Sequence, residues 1–199
     1  MAIVVIAAVV SSSVAEEETA QRVPSNLEVI QKLSFQIGDS LAGMLGEDDS
    51  VRVLVRPVES AWYVEGPLLR AFAQHGRFPT LSLSAGREVD IGLLTAKVEY
   101  ANVRGHGFFA QRVLDRTVRV EFTGKIVDTR SGAIVVNKDF AGSARDTVEF
   151  SELERLESAG IPGTHGVVPA EGFFSSILEP LVMIGAVAVA VFLLFRVRS

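Results

Sequence analysis

The carboxyl end constrains this chain most. From Leu181 to Phe195 it reads LVMIGAVAVAVFLLF, without one charged residue. A run like that has no place on the surface of a water-soluble domain. Extended back to Phe173 it becomes long enough for a spanning helix, which needs roughly 17 to 25 residues. Glu179 and Pro180 interrupt it near its start, at headgroup level or in a first helical turn that tolerates proline. Arg196 and Arg198 follow at once, and basic residues beside a span mark its cytoplasmic side. The expectation is a transmembrane helix over 173–195, anchored by Leu181 to Phe195 with Arg196 and Arg198, and a cytoplasmic tail over 196–199. A buried terminal helix or a tail-anchored cytosolic protein are the alternatives.

The amino end points the same way. Residues 1–10 read MAIVVIAAVV, too few to cross a hydrocarbon core of about 30 Å. Ser13, Val14 and Ala15 then fit the small-x-small pattern of a secretory cleavage site. A signal peptide over 1–15 is expected, although no Lys or Arg precedes the apolar run. Both ends then place the body outside the cytoplasm, as a single-pass protein of the inner membrane facing the periplasm or cell exterior.

Composition narrows the function. The chain has 19 basic and 24 acidic residues, a net charge of -5. Nonspecific nucleic-acid binding needs a dominant positive field, so no nucleic-acid partner is expected. With no cysteine, disulfides, thiolate metal sites and thiol catalysis are excluded.

The middle, 16–159, reads as one α/β unit. Leu27, Ile30, Leu33, Ile37, Leu41 and Met44 recur at helical spacing. Ser25 and Glu28 form a capping-box pattern ahead of them. Residues 51–58 (VRVLVRPV) alternate like a strand that Pro57 ends. Residues 60–75 read as a second helix with Val64, Leu68, Leu69 and Phe72 inward, its start broken or kinked at Gly66-Pro67. A short strand is expected over 80–83.

From Val89 the period changes to two, with strands over 89–104, 112–128 and 133–142. On the middle strand Val118, Val120, Phe122, Gly124 and Ile126 share one face, while Thr117, Arg119, Glu121, Thr123 and Lys125 share the other. That pattern describes an antiparallel meander covered on one side. A last helix is expected over 151–159 behind Ser151 and Glu154. Residues 160–172 (GIPGTHGVVPAEG) read as a Gly/Pro stalk. The fold class is α/β (α+β), with helices packed on a mixed sheet, plus the membrane helix.

No chemistry-bearing motif emerges. The sequence lacks a phosphate-binding GxxxxGK[ST], a GxSxG elbow and an HExxH. His75, His106 and His165 have no ligand spacing; His106 lies in a turn and His75 at a helix end. Glu47, Asp48 and Asp49 lack a calcium-loop spacing. No enzyme activity, metal or cofactor is expected.

Two groups are candidate contact residues. Arg104, Arg112, Arg116 and Arg119, with Lys125 and Arg130, would form a docking surface for an acidic partner or lipid headgroups. The alternative is a mixed-charge outer face that keeps a sheet edge from aggregating. Trp62 and Tyr63 are adjacent on the second helix; if it is straight, one must point outward as a candidate interaction anchor, and the alternative is packing in the core.

The valine-rich strand over 51–58, its following helix, Gly76-Arg77-Phe78, and the later segment from Ile126 through Asp128-Thr129-Arg130-Ser131-Gly132 to Val135 resemble a known envelope fold. The similarity is to the TolB amino-terminal domain, the periplasmic part of the curli-secretion channel lipoprotein and the lipoprotein activators of penicillin-binding proteins. It spans Val51 to Gly142. The resemblance implies a nonenzymatic envelope binding domain. No lipobox cysteine is present, so the family's lipid anchor does not carry over. The expected function is a membrane-anchored accessory or scaffold protein that docks another envelope protein, with self-association as an additional candidate contact; the alternative is a ligand-binding or sensor module with a pocket between helix and sheet.

Overall fold

The computed structural model describes residues 22–46, 50–82, 84–105, 111–169, 182–187, 189, 191, 193 and 196. The first helix, α1 (Asn26–Ala42), starts at the capping box expected from sequence. Ser25 Oγ accepts from Glu28 N at 3.2 Å, and the Glu28 carboxylate accepts from Ser25 N at 2.6 Å. The Ser25 backbone N–H lowers the Glu28 pKa, and the helix N-terminus favours the same charge. Val29, Ile30, Leu33, Ile37 and Leu41 form the buried stripe.

Strand β1 (Val51–Arg56) leads into α2 (Val58–Gln74), which returns the chain to β2 (Arg87–Arg104). β1 and β2 pair in parallel, Val51 beside Arg87 through Arg56 beside Gly92. β3 (Val113–Asp128) and β4 (Ile134–Glu149) then complete an antiparallel meander. The sheet order is β1-β2-β3-β4. The fold is therefore mixed α/β with a mostly antiparallel sheet. Both long helices lie on one face, α2 over β1 and α1 over β3 and β4.

The expected period-two pattern on β3 is observed. Val118, Val120, Phe122 and Ile126 are buried against the helices, while Arg119 is exposed on the open face. The β3–β4 turn also matches. The Asp128 carboxylate accepts from the N–H groups of Arg130 and Ser131, and Gly132 supplies the left-handed residue at φ 72°.

Several boundaries differ. α2 continues through Pro67 rather than breaking there. Burial of Leu68, Ala71 and Phe72 outweighs an interior-proline cost of about 3 kcal/mol. Residues 80–82 form no strand, and Leu81 is exposed; Leu83 lies outside the described residues. β4 runs seven residues beyond its expected end at Gly142, because Ala144, Asp146 and Val148 stay in register with β3. The expected final helix reduces to a 3-10 turn (Phe150–Glu152) and one helical turn, α3 (Leu153–Leu156). Ser151 donates to Glu149 instead of capping.

The segment read as a stalk is packed over its described part. β5 (Gly166–Val167) pairs in parallel with Val98 and Glu99 of β2, and Thr164 is fully buried. Gly163 permits this approach. A Cβ there would sit 2.3 Å from the Ala96 carbonyl oxygen. Backbone pairing thus captures a segment whose Gly and Pro content reads locally as irregular.

Among the described residues no helix is long and apolar enough to cross a membrane. The expected spanning helix over 173–195 gains no support there. Residues 182–187, 189, 191, 193 and 196 are helical and exposed. Leu181, Phe195 and Arg198 lie outside the described residues, as do the expected signal peptide over 1–15 and the turn at His106.

Gly124 tests the packing between α1 and the sheet. A Cβ there would meet Phe140 at 2.7 Å and Leu41 at 2.9 Å. Gly124→Ala should cost about 1 to 3 kcal/mol through overpacking, read as a lower urea midpoint with an unchanged slope.

Candidate functional site

Two adjacent residues on β3 organise the polar structure of opposite faces. Period two sends Arg116 toward the helices and Asp115 away from them. Arg116 has no exposed surface. Its Nε donates to Asp146 Oδ1 at 2.8 Å, and its Nη2 to Asp146 Oδ2 at 2.5 Å. Its Nη1 donates to Pro24 O at 2.8 Å and to Asn26 Oδ1 at 2.9 Å. The planar guanidinium fits the carboxylate as a two-pronged donor.

Asn26 continues the network. Its Nδ2 donates to Tyr100 Oη at 2.9 Å and to Thr164 O at 2.7 Å. Tyr100 stands beside Arg116 on β2, and Asp146 beside it on β4. Burial raises the Tyr100 pKa, which keeps the phenol neutral. Glu157 holds the returning segment, accepting from Gly166 N at 3.0 Å and lying 2.9 Å from His165 Nδ1. Arg155 reaches Val23 O. The network therefore ties the start of α1, three strands and residues 155–166 into one end of the domain.

On the open face, Asp115 gathers donors. Asn102 Nδ2 reaches it at 2.9 Å, Arg104 Nη2 at 2.5 Å and Arg145 Nη2 at 2.8 Å. These hydrogen bonds, that from Asn102 first, hold its carboxyl well below the usual carboxylate range. Farther along this face, Arg52 pairs with Glu88, and Arg56 lies 3.2 Å from Asp90.

The candidate residues do not form one patch. Trp62 is 58% exposed while Tyr63 is buried, their rings edge-on at 5.8 Å. Both sit on α2 in the helical layer. Arg104 and Arg119 belong to the open sheet face, Arg104 committed to Asp115 and Arg119 level with Lys97 on β2. Arg112 stacks its guanidinium 4.3 Å from the Phe150 ring centroid. Arg116 requires a correction. It is a core residue with its donors engaged inside the domain and offers no docking surface.

The signal for this was present in the sequence. Extending the parity of Val118, Val120 and Phe122 backward puts Arg116 on the inner face. Asp146 shares parity with Phe140 and Ala144. Asn26 and Thr164 carried no such signal, because their partners are distant in sequence.

Apolar side chains from both layers pack into the interface between helices and sheet. Two clefts lie at the surface. One of about 630 Å³ is lined by Arg22, Thr147, Glu149, Glu152 and Arg155, and one of about 340 Å³ runs between α1 and α2 beside Lys32, Phe35 and Arg70. Among the described residues no cluster of three or more His, Asp or Glu is placed to hold a metal ion.

No family model matches the chain, and no curated protein matches it. The crystal structure of lipoprotein GNA1162 from Neisseria meningitidis is similar over 69% of this chain and 96% of that one, with 10% identity and a TM-score of 0.28.

Two outcomes test the assignment of the polar residues. Arg116→Leu strands the Asp146 carboxylate and buried Asn26, and should destabilise by about 3 kcal/mol or more. Arg119→Leu on the exposed face should stay within about 0.5 kcal/mol. Chemical denaturation separates them.

The Asp115 site predicts a pH dependence. A carboxyl whose folded pKa lies below its unfolded value near 3.8 stabilises the fold above that value, and the contribution fades as pH falls beneath it. Asp115→Asn should therefore lower the melting temperature most near pH 6. The difference from wild type should shrink as pH approaches about 2.

Proposed function

We propose that this chain is a membrane-attached, nonenzymatic accessory domain of the bacterial cell envelope, and that it docks another envelope protein. One observation carries the reading. The two ends of the described domain leave from the same side. Arg155 holds Val23, Arg116 holds Pro24 and Asn26, and Asn26 in turn holds Thr164.

Two apolar sequences flank this end of the domain along the chain. Residues 1–10 precede this end of the domain, and residues 181–195 follow it. A leader and an anchor at one end suit a domain threaded across a membrane and then tethered to it. The tether would fix location and raise the effective concentration of the domain near a membrane-bound partner. The resemblance of Val51 to Gly142 to envelope binding domains supports the same role.

The exposed groups supply contact chemistry. Trp62 is an aromatic available on the helical layer, and aromatic anchors are enriched among residues that dominate binding. The open sheet face presents Arg119, Lys97 and Glu99 in a mixed-charge array.

The test uses the full chain in cells, with a tag after Ser199. Protease added to spheroplasts should digest the domain and leave the tag protected. Crosslinking before lysis should capture an envelope protein, and Trp62→Ala should weaken that capture. A protected domain with a digested tag would overturn the topology. A correctly placed domain with no crosslinked neighbour would overturn docking alone.

A further inference from the structure

Among the described residues β4 is an edge strand, paired with β3 on one side. It spans Ile134–Glu149, long enough to template another strand. Its side chains are mostly exposed. The question is what complements this edge.

The order of charges along β4 gives a specific answer. Its centre reads Lys138-Asp139-Phe140-Ala141-Gly142-Ser143-Ala144-Arg145-Asp146. Charged positions equidistant from Gly142 carry opposite signs. In an antiparallel pair centred there, Lys138 faces Asp146 of a second copy, and Asp139 faces its Arg145. Phe140 faces Ala144, and Val136 faces Val148. Gly142 lies on the two-fold axis, where no side chain crowds its own copy.

The faces agree as well. Lys138 and Asp146 both stand on the helix-covered side, level with Gly124 and Arg116 of β3. Lys138 Nζ lies 4.7 Å from the Phe140 ring centroid on that side. Asp139 and Arg145 both stand on the open side, level with Thr123 and Thr117. Asp146 retains 41% side-chain exposure while bonded to Arg116, and Arg145 retains 63% while bonded to Asp115. Each therefore has surface left for a second partner.

Neighbouring registers lose this match. Sliding one residue sets Lys138 against Arg145 or Asp139 against Asp146 and turns the second copy's helices to the other face, while sliding two keeps the faces but leaves Lys138 opposite Ala144 or Val148, its charge unmatched. Directly opposed like charges destabilise a strand pair and opposed unlike charges stabilise it. We infer that the β4 edge is a homodimer interface, joining two copies antiparallel about Gly142 into one continuous sheet. This is an isologous contact, in which each patch meets itself.

The pairing goes beyond membrane attachment and does not require it. It does constrain attachment. An antiparallel pair sends the two tethered ends to opposite ends of the joined sheet. Both reach one bilayer only when the sheet lies along its surface.

The chain has no cysteine, so one introduced cysteine takes one spin label. Full-length Ala141→Cys and Asn137→Cys, both on the open face, are purified in detergent, labelled and measured by electron paramagnetic resonance. At roughly 3.3 Å per residue along the strands and about 4.8 Å between them, the Cα atoms of position 141 should lie about 8 Å from their copies. Those of position 137 should lie about 33 Å apart. Equal short distances at both positions would mean parallel pairing and overturn the proposal.

Asp139→Arg supplies the second arm. It turns both Asp139–Arg145 contacts into repulsions and should weaken the dimer at least about tenfold, with an unchanged circular dichroism spectrum. A protein that stays monomeric at all concentrations would show that Lys138 and Asp146 guard the edge instead. A dimer indifferent to Asp139→Arg would place the interface elsewhere.

Discussion

Arg116 is the residue on which the arrangement of this domain depends. It places a permanent charge on the sheet face that the helices must cover. Burying such a charge without partners is prohibitive. The fold answers with a carboxylate from β4, a carbonyl from the segment before α1 and an amide oxygen from the first turn of α1. Each partner fixes an element in place. β4 must stay paired beyond Gly142 to bring Asp146 alongside, and α1 must begin where Asn26 can reach. Asn26 then requires Thr164, which draws the chain after α3 back onto β2. The apolar core supplies most of the driving force. The charge selects which packing of that core is allowed.

The two faces of the sheet have different tasks as a result. The inner face is apolar along most of its length, and its buried polar network lies at the Arg116 end. The outer face carries a lattice of ion pairs on exposed strands. Exposed pairs contribute little stability individually. Charged side chains along exposed strands restrict which other strands can pair with them. The same reasoning bears on β4, where opposite charges flank a central glycine at matching distances. A charged edge repels most strands and admits one whose charges are complementary.

Much of the fold was legible because local rules and tertiary packing agreed. The Ser25–Glu28 capping box, the stripe from Leu27 to Leu41, the inner face of β3 and the turn at Asp128 all follow from short-range pattern. Disagreement came where distant partners intervened. Pro67 sits inside a helix because Leu68, Ala71 and Phe72 hold that helix against its neighbours. Ser151 and Glu154 match a capping box, but α3 is a single turn and Ser151 bonds elsewhere. Among the candidate contact residues, Trp62 and Arg119 are exposed as a docking role needs. Arg116 is not, although its parity with Val118 already placed it inside.

The sequence by itself determined the alternation that makes β3 two-faced, the apolar stripe of α1 and the two apolar ends. These are properties of residues a few positions apart, where backbone period and side-chain type are sufficient. Only the tertiary structure decided that Arg116 meets Asp146 and Asn26, that Asp115 gathers Arg104 and Arg145, and that residues 163–167 join the sheet. Those contacts unite groups separated by up to 138 positions. Their energies depend on burial and on donor–acceptor geometry, which exist only once the strands are in register.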